Sequence, residues 1–311
     1  MRAIEAAEHG GPEVLRTVEA PDLVPDAGHV LIDVAVAGVQ SLDTYLRRGL
    51  WTDFFPVKPP YIPGMEAAGV VTAVGEGVDP GWVGRNVAAS VQNGYATQAV
   101  TEVGKIHPVP DGLGPREAMA LLHDGSTAYA LLEETPVKEG ESVLVQPAAG
   151  GLGSVLVQLL KAAGARVVGV ARGDTKLALV KELGADVVVD YSSADWLSQV
   201  GTVDVAFDGV SGPLGQAAFS AVRDGGRYSN YGNASGSAES VSPGRGITTR
   251  GIEQLSTFHA DGRRRIERVF ELAATGKIRP VIGRTFPLDQ AAEAHRAIEA
   301  REVLGKTLLI P

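Results

Sequence analysis

The rhythm of apolar and polar positions changes partway along the chain. Up to about residue 120, short apolar runs are cut by Gly and Pro. HVLIDVAVAGV (29–39), AAGVVTAVG (67–75), RNVAAS (85–90) and YATQAVT (95–101) predict strands of an antiparallel, barrel-like unit. From about 116 to 230, apolar strands alternate with helical stretches. ESVLVQP (141–147), ARVVGVA (165–171), ADVVVDY (185–191), VDVAFDGV (203–210) and GGRYSNYG (225–232) predict strands. SVLVQLLKAAG (154–164) and DTKLALVKELG (174–184) predict amphipathic helices stopped by Gly164 and Gly184. That alternation predicts βαβ units on a parallel sheet. Residues 233–250, rich in Gly and Ser, predict a mobile loop bordering a cleft. Helices over 263–276 and 290–300 and strands over 278–288 and 306–311 complete the reading.

The turn between strand 141–147 and helix 154–164 is Pro147-Ala148-Ala149-Gly150-Gly151-Leu152-Gly153. It has the form A-x-G-x-x-G, with Ala148, Gly150 and Gly153 at the three marked positions. Gly150 would let the backbone approach a pyrophosphate, and Gly153 would let helix and strand pack closely. The helix amino terminus adds unpaired N–H groups and a partial positive charge. Residues 149–153 are therefore the candidate phosphate cradle. At the end of the next strand stands Arg172, with Thr175 and Lys176 just beyond. Where a free ribose 2′-hydroxyl is bound, an acidic residue usually stands there. Arg172 and Lys176 could instead grip a 2′-phosphate. A charged hydrogen bond is worth about 1.5–3 kcal/mol, so the pair could favour NADPH over NADH by roughly 10²-fold. The competing reading, a solvated loop of mixed charge, is kept open by Asp174.

Composition narrows the classes. The 311 residues allow one large or two ordinary domains. With 44% hydrophobic and 21% charged residues, the composition is that of a soluble globular protein, and the net charge of -9 predicts no nucleic-acid partner. Cysteine is absent, which excludes disulfides, thiolate nucleophiles and Cys-ligated zinc. No signal peptide is expected from the first residues, and no apolar stretch reaches the roughly 18 residues of a membrane span. A cytoplasmic protein without a membrane partner is expected. The six histidines show no metal-ligand spacing, and Arg263-Arg264-Arg265 reads as a solvated helix face.

Several phrases carry a resemblance. GVQSLDTYLRRG (38–49), YIPGMEAAGVVTAVGEGV (61–78), GSTAYALL (125–132), QPAAGGLGSVLVQLLKAAGARVVG (146–169) and the closing PLDQAAEAHRAIEAREVLGKTLLIP are among them. The chain resembles the medium-chain dehydrogenase/reductase superfamily, and within it the zinc-free quinone oxidoreductase (zeta-crystallin-like) branch. The resemblance implies an α/β fold, with a Rossmann domain carrying a parallel sheet beside a GroES-like, β-barrel-type catalytic domain. It implies residues 1–121 with 260–311 for the catalytic domain and 122–259 for the Rossmann domain, and a homodimer. In zinc-dependent relatives a Cys stands at the place of Gln40 and a His at that of Met65. An amide and a thioether make no zinc site, so metal-free catalysis is expected.

The resemblance also implies an activity: NADPH-dependent reduction of small quinones or α,β-unsaturated carbonyls by direct hydride transfer. A dedicated enoyl or carbonyl reductase and a non-enzymatic, crystallin-like NADPH-binding protein are the rivals. Without a Lewis acid, a conjugated acceptor is the easier one, because charge delocalises onto an oxygen that donors can stabilise. The segment 40–49 is implied beside the nicotinamide, which makes Gln40 and Tyr45 candidate catalytic donors, with Tyr61 a further one. Thr127 matches a position near the nicotinamide ribose, and Tyr191 one at the adenosine end. Tyr231, Gly232 and Asn233 match the nicotinamide half. His123-Asp124 is an unusual pair that could relay a proton, although a surface or capping role is favoured. Lys306 reads either as approaching the cofactor or as closing the last strand.

Overall fold

The computed structural model describes residues 1–311 except 238–240 and 243; of residues 259 and 260 it describes the backbone alone. The expected loop over 233–250 lies partly outside the described residues. Two compact units result. One comprises residues 1–123, 270–277 and 281–311, the other 124–269 and 278–280. The chain thus returns to the first unit at Phe270, inside a helix.

The first unit begins with the hairpin β1 (Arg2–Ala6) and β2 (Leu15–Glu19), and continues with β3 (His29–Val39), α1 (Ser41–Arg47), β4 (Glu66–Val74), β5 (Asn86–Ser90), β6 (Gln98–Glu102) and β7 (Ile106–Pro108). The helix α2 (Pro115–Glu134) follows. β3 is the hub. Its first half pairs with β6, its whole length with β4, and its last residues with the carboxyl-terminal strand, all antiparallel. Inward residues of these strands, Val30, Ile32, Val71, Val87 and Ile106 among them, make the core. The predicted strand at 95–101 begins later, at Gln98, because Tyr95 and Ala96 turn back to bond with Pro63 and Gly94 carbonyls.

The second unit carries β8 (Ser142–Gln146), α3 (Gly151–Ala162), β9 (Arg166–Ala171), α4 (Asp174–Glu182), β10 (Val187–Asp190), α5 (Trp196–Val200), β11 (Val203–Asp208), α6 (Gly212–Ala221), β12 (Val222–Asn230) and β13 (Thr248–Arg250). The sheet order is β10-β9-β8-β11-β12-β13, with every pairing parallel. Continuous Val/Leu runs in β8 and β9 suit strands covered on both faces. The short strand β13 corrects the expected unbroken loop. α3 starts at Gly151, three residues before the apolar run, since the glycine turn itself forms the first helical turn. α7 (Gly262–Ala274) follows; then β14 (Ile282–Pro287), α8 (Ala291–Glu299) and β15 (Lys306–Ile310) complete the first unit's sheet. β14 runs parallel to β15, the one departure from antiparallel pairing there. The arginine run at 263–265 is not uniformly solvated. Arg265 is buried and its Nε donates to Glu133 at 2.6 Å, while Arg264 pairs with the same carboxylate from the surface.

Candidate active site

In the second unit the sheet order reverses between β8 and β11. Successive strands run outward one way from β8 to β10 and the other way from β11 to β13. A crevice outside the carboxyl ends of strands at such a reversal is where open parallel sheets bind ligands. The glycine turn leaves β8 there. Gly150 precedes α3 with extended backbone, and a Cβ added to it would meet nothing closer than 3.6 Å, so its outer face stays open to an approaching ligand. A Cβ on Gly153 would lie 2.0 Å from the Pro147 carbonyl oxygen, which is the close helix–strand packing expected there. Gly151 is constrained from elsewhere: a Cβ would sit 2.0 Å from Asp124 Oδ2. Ala149 and Leu152 belong to the same turn. A dinucleotide pyrophosphate fits this cradle of open glycine backbone and helix amino terminus.

The strand ends beside it carry the rest. Arg172 is exposed just past β9, and Gly173, at φ +85°, opens α4, on which Lys176 is half-buried. Asp190, ending β10, accepts the Gly173 N–H at 2.9 Å; bonds from Ser192 hold its pKa below the usual range. Tyr191 is half-buried, its N–H bonded to the Ala171 carbonyl. These groups gather at the carboxyl ends of neighbouring strands, while Thr127 lies half-buried on α2. Tyr231 spends its hydroxyl inwardly, donating to the Gln146 carbonyl at 3.0 Å. The Gly232 carbonyl accepts from Ser211 and Asn230, and the Asn233 amide oxygen accepts from Ser235. The buried Asp208 carboxylate ties this corner together, taking donors from Gln146, Tyr228, Asn230 and the Val210 and Ser211 backbone.

In the first unit a second polar assembly lies at the carboxyl end of β3. Because β4 and β15 both run antiparallel to β3, their first residues flank that end. Glu66 opens β4, Lys306 opens β15, and the two form a buried ion pair. The Glu66 carboxylate lies over Gly38, where a Cβ would be 2.1 Å from it. Its other oxygen lies 2.6 Å from Nδ1 of His123, on α2. Lys306 and His123 overcome the cost of burial and hold Glu66 down to about 2. The Gln40 amide nitrogen is 3.0 Å from the same His123 Nδ1. The Gln40 side chain is thus partnered by His123 and its N–H by Asp43, while Lys306 is committed to Glu66.

A linked chain runs deeper. Asp43 accepts the Gln40 N–H at 2.8 Å and the Tyr95 hydroxyl at 3.0 Å, and burial lifts its pKa to about 6. The Tyr95 oxygen lies 3.1 Å from His295 Nε2, and His295 Nδ1 lies 3.3 Å from Arg47. Guanidinium only donates, so Nδ1 accepts and Nε2 carries the proton toward Tyr95. Burial and Arg47 push His295 down to about 3, keeping it neutral. Arg47 closes the chain on Glu299 at 2.5 Å. The Tyr61 hydroxyl is buried without a hydrogen-bond partner, its pKa raised to about 12 by burial and by Asp43. Tyr45 lies elsewhere on α1, half-buried, with Arg301 and Arg48 tempering the rise that burial imposes on its pKa.

The donors near Gln40 do not fit zinc. Met65 offers a thioether, Gln40 an amide, and the Glu66 carboxylate is already paired with Lys306. Among the described residues, no three His, Asp or Glu gather as a metal set. No described helix is long and apolar enough to cross a membrane. Glu66, Asp43, Tyr95 and His295 were missed in the sequence. Asp43, Glu66 and His295 lie inside recognised phrases and Tyr95 lies outside them, but nothing local to any of the four shows that they share one network.

Two family models match the chain: the alcohol dehydrogenase GroES-like domain over residues 26–135 and zinc-binding dehydrogenase over 183–309. The chain is 33% identical to a probable quinone oxidoreductase of Schizosaccharomyces pombe, over 99% of this chain and 96% of that one. It is 30% identical to a 2-haloacrylate reductase of a Burkholderia species, over 97% and 96%. Its structure is similar to that of Escherichia coli quinone oxidoreductase complexed with NADPH, with a TM-score of 0.90, 28% identity and 100% coverage of both chains.

Proposed function

The chain belongs to the quinone oxidoreductase branch of the medium-chain dehydrogenase/reductase superfamily and is an oxidoreductase; we propose that it reduces quinones or α,β-unsaturated carbonyls with NADPH, without a metal. The observation that carries the reading is the glycine turn at the sheet's reversal point, open at Gly150 and followed by Arg172 and Lys176. Bound there, the reduced dinucleotide supplies a hydride equivalent. Residues 149–153 hold the pyrophosphate, and Arg172 and Lys176 hold the 2′-phosphate. Tyr191 lies along the adenosine half, and Thr127, Tyr231, Gly232 and Asn233 along the nicotinamide half. With Tyr231 and Asn233 engaged internally, that contact falls largely to backbone.

Charge that develops on the acceptor oxygen needs donors already in place. Gln40, Tyr45 and Tyr61 fill that role, each protonated at neutral pH. The unsatisfied Tyr61 hydroxyl has no internal acceptor to give up. The likeness to a 2-haloacrylate reductase supports activated alkenes alongside quinones. The reading includes a homodimer, as the branch implies.

The test follows oxidation of NADPH and NADH with a panel of quinones and enones, after dialysis against a chelator. Turnover with NADPH and a conjugated acceptor is expected, with aldehydes and simple ketones inert. Replacing Arg172 and Lys176 together by Ala should weaken NADPH binding by about 10²-fold while sparing NADH. Equal loss of both dinucleotides would overturn the phosphate clamp. Turnover restored only by added zinc would overturn the metal-free mechanism.

A further inference from the structure

The contacts of His123 go beyond capping or packing. Its Nδ1 lies 2.6 Å from a carboxylate that is itself fully buried, while the imidazole is 38% exposed. Nδ1–H therefore donates to Glu66, which places Nε2 on the edge of the ring away from it. A carboxylate behind an imidazole fixes its tautomer and its orientation. Glu66 faces the ring from β4, Lys306 faces Glu66 from β15, and Asp43 on α1 acts on both. Lys306 keeps Glu66 ionised, so the carboxylate takes no proton from His123. The Gln40 amide nitrogen lies 3.0 Å from the same nitrogen; with Nδ1–H given to Glu66 these two donors share no hydrogen bond, and the distance shows only how near the ring lies to the segment proposed to meet the acceptor.

We propose that His123 is the proton donor of the reductase, with Glu66 as its positioning residue. The inference rests on the reductase reading above. When hydride has added to the β-carbon of an activated alkene, the π electrons reside on an enolate. The imidazolium Nε2–H bond then breaks as a C–H bond forms at the α-carbon. The ring is left neutral, held by Glu66 through Nδ1–H, and water restores its proton. The product gains one hydride and one proton, and the dinucleotide is the species oxidised.

The first test needs no turnover. Nitrogen-15 spectra of the imidazole in the protein alone should show Nδ1 protonated and Nε2 titrating; Nε2 protonated in the neutral ring would overturn the assignment. The second uses His123→Gln, which keeps a donor toward Glu66 but carries no titrating proton. Its kcat/KM with an enone should fall about 100-fold or more, with NADPH binding unchanged. The fall in rate on the alkaline side of the parental pH profile should vanish. With an α-substituted enone in heavy water, the parent should place deuterium on one face of the α-carbon and the variant on both. A variant with the parental rate, pH profile and stereochemistry would overturn the role of His123 while the reductase reading stands. A parent that turns over no acceptor would remove both.

Discussion

The two units organise charge by opposite means. The second builds its proposed anion cradle from backbone: open glycines, the first turn of α3, and the ends of parallel strands. Asp208, a fully buried carboxylate there, is saturated by donors and fixes loops. The first unit works with side chains instead, burying Glu66, Lys306, Asp43, Arg47 and His295 within a few strands of one another. A backbone site fails by steric intrusion, because its geometry is its chemistry. A side-chain network fails by losing a partner, because each member's charge state depends on the next.

The sharpest way to break the contrast is at Glu66. Glu66→Gln leaves the Lys306 ammonium buried without its counter-charge and should cost about 3–5 kcal/mol in denaturant unfolding. Pairing Glu66→Leu with Lys306→Met should recover most of that stability, since no charge is then stranded. A single variant as stable as the parent would mean that water reaches the pair. In the second unit the matching experiment is steric. Gly153→Ala drives a methyl into the Pro147 carbonyl and should cost about 1–3 kcal/mol, along with dinucleotide affinity. Gly150→Ala meets only ordinary contact within the protein. It should therefore melt like the parent yet bind NADPH more weakly. If the two alanine variants behave alike, the division of labour between those glycines is wrong.

A further effect concerns pH. His295 has its folded pKa depressed to about 3 from 6.5, so between those values the unfolded chain binds the extra proton and folding gains as pH rises. Asp43, lifted to about 6 from 3.8, acts the other way over much of the same range. The stability gap between the parent and His295→Gln should widen from pH 3 to 6.5, by at most about 1.4 kcal/mol per pH unit. Urea midpoints across that range measure it; a constant gap would place His295 in a wetter setting.

The parallel-sheet unit was largely legible in the sequence, because its strands are continuous apolar runs and its turn is a run of glycines. Arg172 and Lys176 could be named from their distance beyond that turn. α2 was not predicted, since Gly125-Ser126-Thr127 interrupt its apolar periodicity, and with it went the setting of His123. The first unit's network was unreadable for a different reason. Asp43 and His295 are 252 positions apart in sequence numbering, so no local pattern could announce that Tyr95 would join them.

The donors running from Arg47 through His295 and Tyr95 to Asp43 all point one way, and none can reverse unless its neighbours do. Two of those four groups ride on α1 and one on α8, so the short helix carrying Tyr45 is moored by a segment almost at the far end of the chain. The setting of α1 is thus fixed as much by α8, about 250 residues further along, as by its own sequence.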